Sequence, residues 1–469
     1  MSKIFIHDNF LLESTIAEQL YHQVACKLPI IDYHNHINPQ FLLGINSFEN
    51  IFQLWLRDDP YKHRAMRILG VNEQLITGNS SDKEKFLQWS KVLPKTIGNP
   101  LFHWSCLELK RFFGIDEILS ENNAEDIWVR CNKIIQNNQF NIVELLKRMN
   151  VEVLCTSDDL LDNLKIHQSA TEFAKTITVK PSLRADSLFS FDKHWIVKLS
   201  QQTNINIESL ESYKKAIQQK LDLFDNAGCI MSDHSLDSGF IFISTKEHDA
   251  DKIFKQIIKG ETISTQEKIV LNSYLLDYLG QEYASRDWSM QLHIGAKRDT
   301  NSLLRIKIGS AGGYASLGDS QSISSLIGFL DGLSLKRKLP KTILFNLNPA
   351  DNAKFATLMG SFPKEGVSGN LQFGPAWWYN DHYQGNINQL TDFANYGIFG
   401  SFIGMTTDSR SILSFSRHEY FRRILCNQLG IWVTKGHVPA DFEMLKEIVE
   451  GVSYKNINNW LYKKYENEN

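Results

Sequence analysis

Eight short apolar runs, each ending in polar residues, are the feature that most constrains how this chain can fold. Each run has the length of a β-strand and is rich in β-branched or aromatic residues. The runs are continuously apolar rather than alternating, which is typical of parallel strands covered on both faces. They are LPIIDYH (28–34), VEVLCT (151–156), TITVKPSL (176–183), GCIMSD (228–233), MQLHIG (290–295), TILFNLN (342–348), NLQFG (370–374) and GSFIGMT (400–406).

Stretches with helical periodicity lie between most of these runs. The clearest is SRHEYFRRILCNQLGIWVTKG (416–436), in which Ser416 and Glu419 form a capping-box pattern and Gly436 marks the end. Strands that alternate with helices in this way predict an α/β fold, a (β/α)8 barrel of the TIM type. An open doubly wound sheet is the alternative that the pattern alone leaves open.

The spacing of the runs is uneven, so the predicted barrel is distorted. Residues 40–150 separate the first two runs and look helical, and residues 206–287 form a second long helical stretch. We interpret both as helical insertions, the larger one after strand 1, within a single barrel domain that spans 1–469. No internal repeat and no low-complexity linker argues for a further division.

Charge, apolar content and cysteine pattern limit the kinds of binding partner that this chain is expected to have. The net charge of −3 and the pI near 6.5 argue against a general nucleic-acid binder, which usually carries a basic surplus. We see neither a signal peptide nor an apolar run of about 18 residues, so no membrane partner is expected. The six cysteines are scattered without a CxxC pair and are expected to be reduced, which favours the cytoplasm. Of the partner classes considered, a small-molecule substrate is the one that we expect.

Polar groups are concentrated where the predicted strands end. In a barrel of this type the active site is built at the carboxyl ends of the strands. Almost every run supplies a group there that can bind, ligate or transfer protons. In chain order these are His34 and His36, Asp158 and Asp159, Arg184, Asp233 and His234, His293, Asn348, Trp377 and Trp378, and Asp408 and Arg410.

The first and last of these groups suit a metal ion. His34 and His36 are two residues apart on a strand, so both imidazoles can face one ion. Asp408 adds a carboxylate, and two histidines with one aspartate suit one divalent ion, Zn²⁺ or similar, with positions left for water or substrate. Two plain alternatives stay open, which are hydrogen-bonded structural histidines and a helix-capping Asp408.

The other strand ends indicate an anionic ligand. Arg184 and Arg410 can each hold a carboxylate with two hydrogen bonds. Trp377 and Trp378 either line a pocket or pack in the core. His293 is open between a ligand, a proton shuttle and a buried structural histidine. There is no convincing Gly-rich dinucleotide loop, so no nucleotide cofactor is expected.

Longer segments around these residues resemble the uronate isomerase family over nearly the whole chain, in order. They are LPIIDYHNHINP, HWSCLELKRFFGI, CTSDD, QLHIGAKRDTN, TILFNLNPADN, QFGPAWWYND and MTTDSRSILSFSRHEYFRRILCN. The resemblance implies a distorted barrel of the amidohydrolase superfamily. It also implies conversion of D-glucuronate to D-fructuronate and of D-galacturonate to D-tagaturonate, and we expect a homo-oligomer.

The resemblance also implies roles and reveals one departure. The family reads D-H-Y-K-W-R where this chain has Asp59 to Arg64, so Pro60 replaces a substrate-contacting histidine and His63 replaces a tryptophan. Substrate preference or rate is therefore expected to differ, or another contact is used. The roles implied at matching positions are a metal site at His34, His36 and Asp408, substrate-binding arginines at Arg184 and Arg410, and a tyrosine near the reacting carbons at Tyr61.

These residues support an aldose–ketose isomerisation, an intramolecular oxidoreduction that needs no redox cofactor. Asp408 is expected to move the C2 proton and Tyr61 to exchange a proton with the O1/O2 pair, while Arg184 anchors the carboxylate. One rival is a hydrolase on the same scaffold that uses a metal-bound hydroxide. Another is a sugar-acid-binding protein without turnover. The fourth run ends without a lysine that could bridge two metals, which favours one ion and the isomerase.

Overall fold

The computed structural model of the chain describes residues 4–43, 48–137 and 141–462. Within them, seven parallel strands form one curled sheet in the order β1-β2-β3-β4-β5-β8-β9, and β6 pairs with β7 in a small antiparallel sheet. The strands are β1 (Ile30–Asp32), β2 (Val151–Asp159), β3 (Thr178–Arg184), β4 (Met231–Leu236), β5 (Ser289–Ile294), β6 (Ala296–Lys297), β7 (Ser316–Leu317), β8 (Thr342–Asn346) and β9 (Leu371–Phe373).

The predicted α/β barrel class is confirmed, and seven of the eight apolar runs supply the strands of the large sheet. Neighbours in the sheet follow one another along the chain, as in a barrel. The ladder between β2 and β3 runs from Val153 opposite Thr178 to Asp159 opposite Arg184, so both strands end at the same level. The strand ends therefore meet at one mouth.

In the part of the chain that the structure describes, the strand predicted for the eighth run, 400–406, is wrong. It begins with a 3₁₀ turn, Phe399–Ser401, and continues without a regular ladder. Gly404 has φ +77°, and a Cβ there would lie 2.1 Å from Val452 O, so the backbone leaves the strand conformation. The segment still lies beside β1, because Asp408 N donates to His34 O at 3.0 Å.

The sheet separates two apolar cores, since alternate residues of a strand point to opposite faces. Ile30 and Leu344 pack outward against the helices, whereas their neighbours Ile31 and Ile343 point into the barrel. Ile403 of the eighth segment joins the interior core. The amino-terminal end of the barrel is covered by Trp460, which belongs to the interior core and donates from Nε1 to Gly369 O at 2.9 Å.

Helices surround the sheet, and six of those in the described residues, α2 to α7, lie between β1 and β2. The segment 206–287 holds α10, α11 and α12 but also strand β4, so it is not helical throughout. The helices are α1 (Thr15–Gln19), α2 (Ile51–Trp55), α3 (Pro60–Ile68), α4 (Asp82–Val92), α5 (Pro100–Phe113), α6 (Ala124–Ile135), α7 (Ile142–Arg148), α8 (Lys165–Ala174), α9 (Lys193–Thr203), α10 (Leu210–Asn226), α11 (Glu247–Lys259), α12 (Thr265–Ser285), α13 (Ser302–Ile308), α14 (Ile323–Leu335), α15 (Asn352–Leu358), α16 (Tyr383–Tyr396), α17 (Ser416–Thr434), α18 (Phe442–Glu450) and α19 (Asn456–Tyr462).

Helix α17 confirms the clearest helix prediction but not its cap. It ends just before Gly436, which has φ +71°. The proposed capping box is absent, because Ser416 Oγ donates to Leu413 O and Glu419 binds Arg111 instead. Among the described residues, we find no helix with both the length and the apolar character that crossing a membrane requires.

Candidate active site

A cavity of about 470 Å³ opens where the strands end and extends under the helices between β1 and β2. Its position agrees with the usual location of active sites in barrels of this type. The nine side chains for which sequence analysis considered a metal-binding, catalytic or substrate-binding role all line it, whereas the other strand-end groups, Asp158, Asp159, Asp233, His234 and Asn348, do not. The nine are His34, His36, Tyr61, Arg184, His293, Trp377, Trp378, Asp408 and Arg410.

His34, His36 and Asp408 converge at the inner end of this cavity. Their ligand atoms lie within 4.8 Å of one another, so the three residues could hold one metal ion. Asp408 Oδ1 is 3.3 Å from His34 Nε2 and 3.0 Å from His36 Nε2. Both histidines lie beyond the end of β1 at Asp32, with a bend at His34, so the predicted strand does not extend to them, yet their ring centroids are only 5.2 Å apart.

The protonation of this trio follows from burial and from the mutual contacts. Burial opposes ionisation of Asp408, but hydrogen bonds from His34 and His36 outweigh it and hold its pKa well below the usual range. Burial lowers the pKa of His36 despite the opposing carboxylate. For His34 burial is outweighed by the Asp408 hydrogen bond and the charge of Asp233, so the pKa is raised. The group thus contains an ionised carboxylate.

These residues fit a divalent cation on two further observations. His34 Nδ1 is buried and has no hydrogen-bond partner among the described residues, so Nδ1 can carry the proton of a neutral ring and leave the Nε2 lone pair to a metal ion. Asp233 Oδ2 lies 3.9 Å from that Nδ1, beyond hydrogen-bond distance, and acts on the ring through its charge. The donor set of two imidazoles and one carboxylate is one that divalent transition ions accept.

Asp408 is held by its backbone and by Trp377. The backbone of Asp408 is left-handed, with φ +47°, which is uncommon outside glycine and tolerated best by Asp and Asn. Trp377 Nε1 donates to Asp408 Oδ2 at 2.7 Å, leaving Oδ1 toward the histidines. Strained backbone of this kind is found at sites whose geometry the surroundings determine. Each carboxylate oxygen therefore has a defined direction.

Asp233 is a central residue to which sequence analysis gave no role. It is fully buried on β4, accepts a hydrogen bond from Ser157 Oγ at 2.7 Å and lies 3.4 Å from Arg184 Nη1. Burial opposes its charge, but the Arg184 guanidinium together with His34, His293 and His36 outweighs burial and lowers its pKa. Its position at the end of the fourth run was the available signal. The carboxylate also lies 3.9 Å from His34 Nδ1 and 3.8 Å from His293 Nδ1, so it stands between these rings and Arg184.

Arg184 belongs to a cationic wall that includes a second arginine, Arg298, which sequence analysis did not select. Arg184 Nη2 and Arg298 Nη2 both donate to Ser235 Oγ, at 2.8 and 3.0 Å. Burial would lower the pKa of Arg184, but Asp233 and Asp186 outweigh it and raise the pKa. Arg298 also lies over the ring of Trp378, 5.5 Å from its centroid. Both guanidinium groups border the cavity.

His293 packs among aromatic rings beside the metal group rather than in it. Its ring stacks on Phe345, with centroids 4.4 Å apart and planes 3° apart, and lies 4.6 Å from the His34 ring. Burial, followed by the charge of His34, holds its pKa well below the usual range, so it is neutral. Neither ring nitrogen has a hydrogen-bond partner among the described residues. A bound ligand is the partner available to it from the cavity.

Tyr61 enters the cavity from the first turn of α3. Asp59 caps this helix, accepting from Tyr61 N at 2.9 Å, and Pro60 occupies its first position, where proline is favoured. Pro60 O is so close to Gly313 that a Cβ there would lie 2.3 Å away. The Tyr61 ring meets Trp104 edge to face at 6.0 Å. Burial, then the charge of Asp408, raises the Tyr61 pKa well above its usual value, so it is protonated.

Two arginines of the eighth strand region take different positions. Arg410 is exposed at the rim of the cavity. Arg417, which sequence analysis passed over inside the α17 pattern, is buried and lines the same cavity. It forms an ion pair with Asp381 at 2.7 Å and lies over Trp104 at 4.8 Å. Four arginines in the described part of the chain therefore line the cavity, Arg184, Arg298, Arg410 and Arg417.

Known proteins match this chain along its length. A family model described as glucuronate isomerase matches residues 1–461. A uronate isomerase of Clostridium acetobutylicum is 42% identical over 464 residues, covering 98% of this chain and 99% of that protein. One from Shouchella clausii is 43% identical over 465 residues, covering 98% of each. The crystal structure of uronate isomerase from Thermotoga maritima superposes with a TM-score of 0.92 at 31% identity, covering 98% of this chain and 100% of that one. The chain therefore belongs to the glucuronate isomerase family.

Proposed function

We propose that this enzyme interconverts hexuronate aldoses and ketoses in the cavity, D-glucuronate with D-fructuronate and D-galacturonate with D-tagaturonate. Family membership supports the reaction type. The observation that carries the proposal is the placement of an ionised Asp408, a protonated Tyr61 and the Arg184 guanidinium around one cavity. Those three groups are a base, an acid and an anion anchor, which this isomerisation needs.

Arg184 anchors the C6 carboxylate of the substrate. Its guanidinium is already held by Asp233 and Asp186, so its direction is set before substrate arrives. Arg410, at the rim, steadies the substrate hydroxyls or the developing oxyanion. Trp377 and Trp378 form part of the wall against which the sugar packs, and neutral His293 contacts a substrate hydroxyl.

Proton transfer uses Asp408 and Tyr61. The Asp408 carboxylate removes the proton from C2 of the aldose, giving an enediol, and returns a proton to C1. Tyr61 donates a proton to the carbonyl oxygen O1 and recovers one from O2, so the hydroxyl and carbonyl exchange places. No electron leaves the substrate, and no nucleotide takes part. General acid and base groups of this kind typically contribute about 10²–10⁴ in rate each.

The metal proposed for His34, His36 and Asp408 is Zn²⁺. Two imidazole nitrogens and a carboxylate oxygen are ligands that zinc accepts in sites with open positions. When bound, it would supply positive charge at this end of the cavity, beside Asp408. Assembly as a homo-oligomer and a cytoplasmic location stay predictions from sequence.

The test is direct. Purified protein is incubated with D-glucuronate without added nucleotide, and the ketose is followed by NMR, with D-galacturonate and D-glucose in parallel. The proposal expects ketose from both uronates and little from glucose, which lacks the carboxylate that Arg184 reads. Hydrolysis of a carboxylic ester without any isomerisation of the uronates would instead favour the hydrolase.

A further inference from the structure

Asp32 is a carboxylate on β1, two residues before His34, that the proposed chemistry does not use. Its side chain is 0% exposed. Oδ1 accepts hydrogen bonds from Thr407 N and Thr406 Oγ1, both at 2.7 Å, and Oδ2 accepts one from Thr407 Oγ1 at 2.7 Å. Three short bonds thus run from this one side chain to the two residues that precede Asp408.

Two further groups complete the surroundings of Asp32. Asn35 Nδ2, on the residue between the two metal-site histidines, donates to Oδ2 at 3.1 Å. His418 Nε2, from α17, lies 3.3 Å from Oδ1. A carboxylate buried in this way is tolerated because several donors replace the water that it loses. The arrangement joins β1, the eighth segment and α17 at one point.

These bonds replace a missing part of the sheet. The eighth segment has no regular ladder, and its described backbone bonds to β1 and the residues after it are Asp408 N to His34 O at 3.0 Å and His36 N to Ser409 O at 2.8 Å. The Asp32 side chain adds hydrogen bonds to Thr406 and Thr407, the two residues of the segment that precede these backbone bonds. His34 N donates in turn to Thr406 Oγ1 at 2.8 Å. The hydroxyl of Thr406 therefore contacts both Asp32 and His34 across the seam, by which we mean the junction between β1 with the residues after it and the eighth segment.

We infer that Asp32 is a positioning residue for the metal site. It sets the spacing between Asp408, on one side of the seam, and His34 with His36, on the other. The inference rests on the proposed metal site, since a trio that binds no ion would need no such spacing. Groups that orient ligands through hydrogen bonds typically change metal affinity by about 10- to 100-fold when they are replaced.

The experiment measures the dissociation constant of the metal-free full-length chain for Zn²⁺ by competition with a chromophoric chelator. Asp32→Asn keeps the shape but puts an amide where an ionised acceptor stood, and it is expected to bind Zn²⁺ about 10- to 100-fold more weakly. The control is Asp351→Asn. Asp351 is also 0% exposed, and it accepts from Gln321 N and Lys354 Nζ at 2.8 Å each, but it does not line the cavity. The control is expected to lose thermal stability and keep its Zn²⁺ affinity.

A milder pair covers the case in which Asp32→Asn does not fold. Thr407→Val removes the hydroxyl that binds Oδ2 and is expected to weaken Zn²⁺ binding severalfold, whereas Thr407→Ser keeps the hydroxyl and restores it. Wild-type affinity in folded Asp32→Asn or in Thr407→Val overturns the inference. Equal losses in Asp32→Asn and Asp351→Asn do so as well, because they indicate general destabilisation. A wild-type chain that binds no Zn²⁺ overturns the proposed metal site itself.

Discussion

The indole Nε1 of Trp377 donates a 2.7 Å hydrogen bond to Asp408 Oδ2. Trp377 follows β9 and Asp408 follows the eighth segment, so the hydrogen bond connects the proposed base to the wall of the cavity. Because Oδ2 is engaged by the indole, Oδ1 is the oxygen that faces His34 and His36. The orientation of Asp408 thus depends on a tryptophan that sequence analysis could equally place in the core.

Trp377→Phe is expected to lower kcat about tenfold or more while the metal remains bound. The variant keeps an aromatic wall but removes the donor, and a hydrogen bond to a charged group is typically worth about 1.5–3 kcal/mol. Steady-state kinetics on D-glucuronate measure the effect. Trp378→Phe is the matched control, since that ring lies against Tyr379 and under Arg298. Equal kcat losses in both variants would contradict the role given to the indole bond.

Arg184→Met is expected to weaken turnover of uronates about tenfold to a hundredfold and to narrow the gap between glucuronate and glucose. The reason is the loss of a charged hydrogen-bonding partner for the carboxylate, worth about 1.5–3 kcal/mol. Ratios of kcat/KM for the two sugars measure it. Arg130→Met, in an exposed pair with Glu117, serves as the control. Wild-type protein that converts glucose as well as glucuronate would argue against carboxylate recognition.

Removing both imidazoles, His34→Ala with His36→Ala, is expected to reduce bound metal well below one equivalent per chain. Elemental analysis of the dialysed protein measures the content. His293→Ala is the control, because His293 packs against the His34 ring without belonging to the ligand group. Full occupancy in the double variant would show that other residues hold the ion.

The sheet was largely predictable because continuous apolar runs mark strands that are covered on both faces. The eighth run failed for a local reason. Gly404 takes a positive φ against Val452, and side-chain bonds to Asp32 replace the ladder there. No pattern of apolar residues reports either fact. The position of the segment beside the first strand was nevertheless correct, since Asp408 N binds His34 O.

The candidate site was predictable where chemistry coincides with strand ends, and less so elsewhere. Asp233 was noted as a strand-end residue, but its role in the site depends on its positions beside Arg184 and His34, which only folding creates. Arg417 lies within a regular helix pattern that gives no hint of the cavity. The capping box failed similarly, because Arg111, distant in sequence, binds Glu419. Tyr61 was identified through family resemblance, since it lies in a helix between the first two strands.

Glu419→Gln is expected to lower the free energy of unfolding by about 3 kcal/mol at neutral pH, because it leaves Arg423 and Arg111 without their carboxylate. Burial opposes ionisation of Glu419, but Arg111 and Arg423 outweigh it and keep its pKa below the usual range. A depressed folded pKa stabilises the protein above the unfolded pKa, about 4.3. The difference between variant and wild type should therefore shrink as pH falls below that value.

Urea unfolding across this pH range measures the effect of Glu419. The control is Glu443→Gln, which removes an exposed partner of Lys446 and is expected to change stability by less than about 1 kcal/mol. An unpaired Glu titrates at about pH 4. If the difference in free energy of unfolding between Glu419→Gln and wild type stays constant from neutral pH to below that value, the ion pairs are not its cause.

Asp408→Asn tests the central claim, that this carboxylate carries the proton between C2 and C1. The amide can still hydrogen-bond a hydroxyl but cannot accept that proton, so substrate should bind while isomerisation nearly stops. For the wild type, ketose formed in D₂O should carry solvent deuterium at C1 to the extent that the carboxylic acid exchanges its proton. The wild-type rate should fall with substrate deuterated at C2 if proton abstraction limits it.

The deciding measurement is the isomerisation rate of Asp408→Asn together with its metal content in the same sample, because Asp408 is also a candidate ligand. The metal is restored by added Zn²⁺ before the assay, so a loss of rate reports the missing base. The expected rate is about 10²–10⁴ lower than that of the wild type with the metal in place. Near-normal isomerisation by metal-loaded Asp408→Asn would contradict the role of this carboxylate and transfer the proton step to Tyr61 or His293.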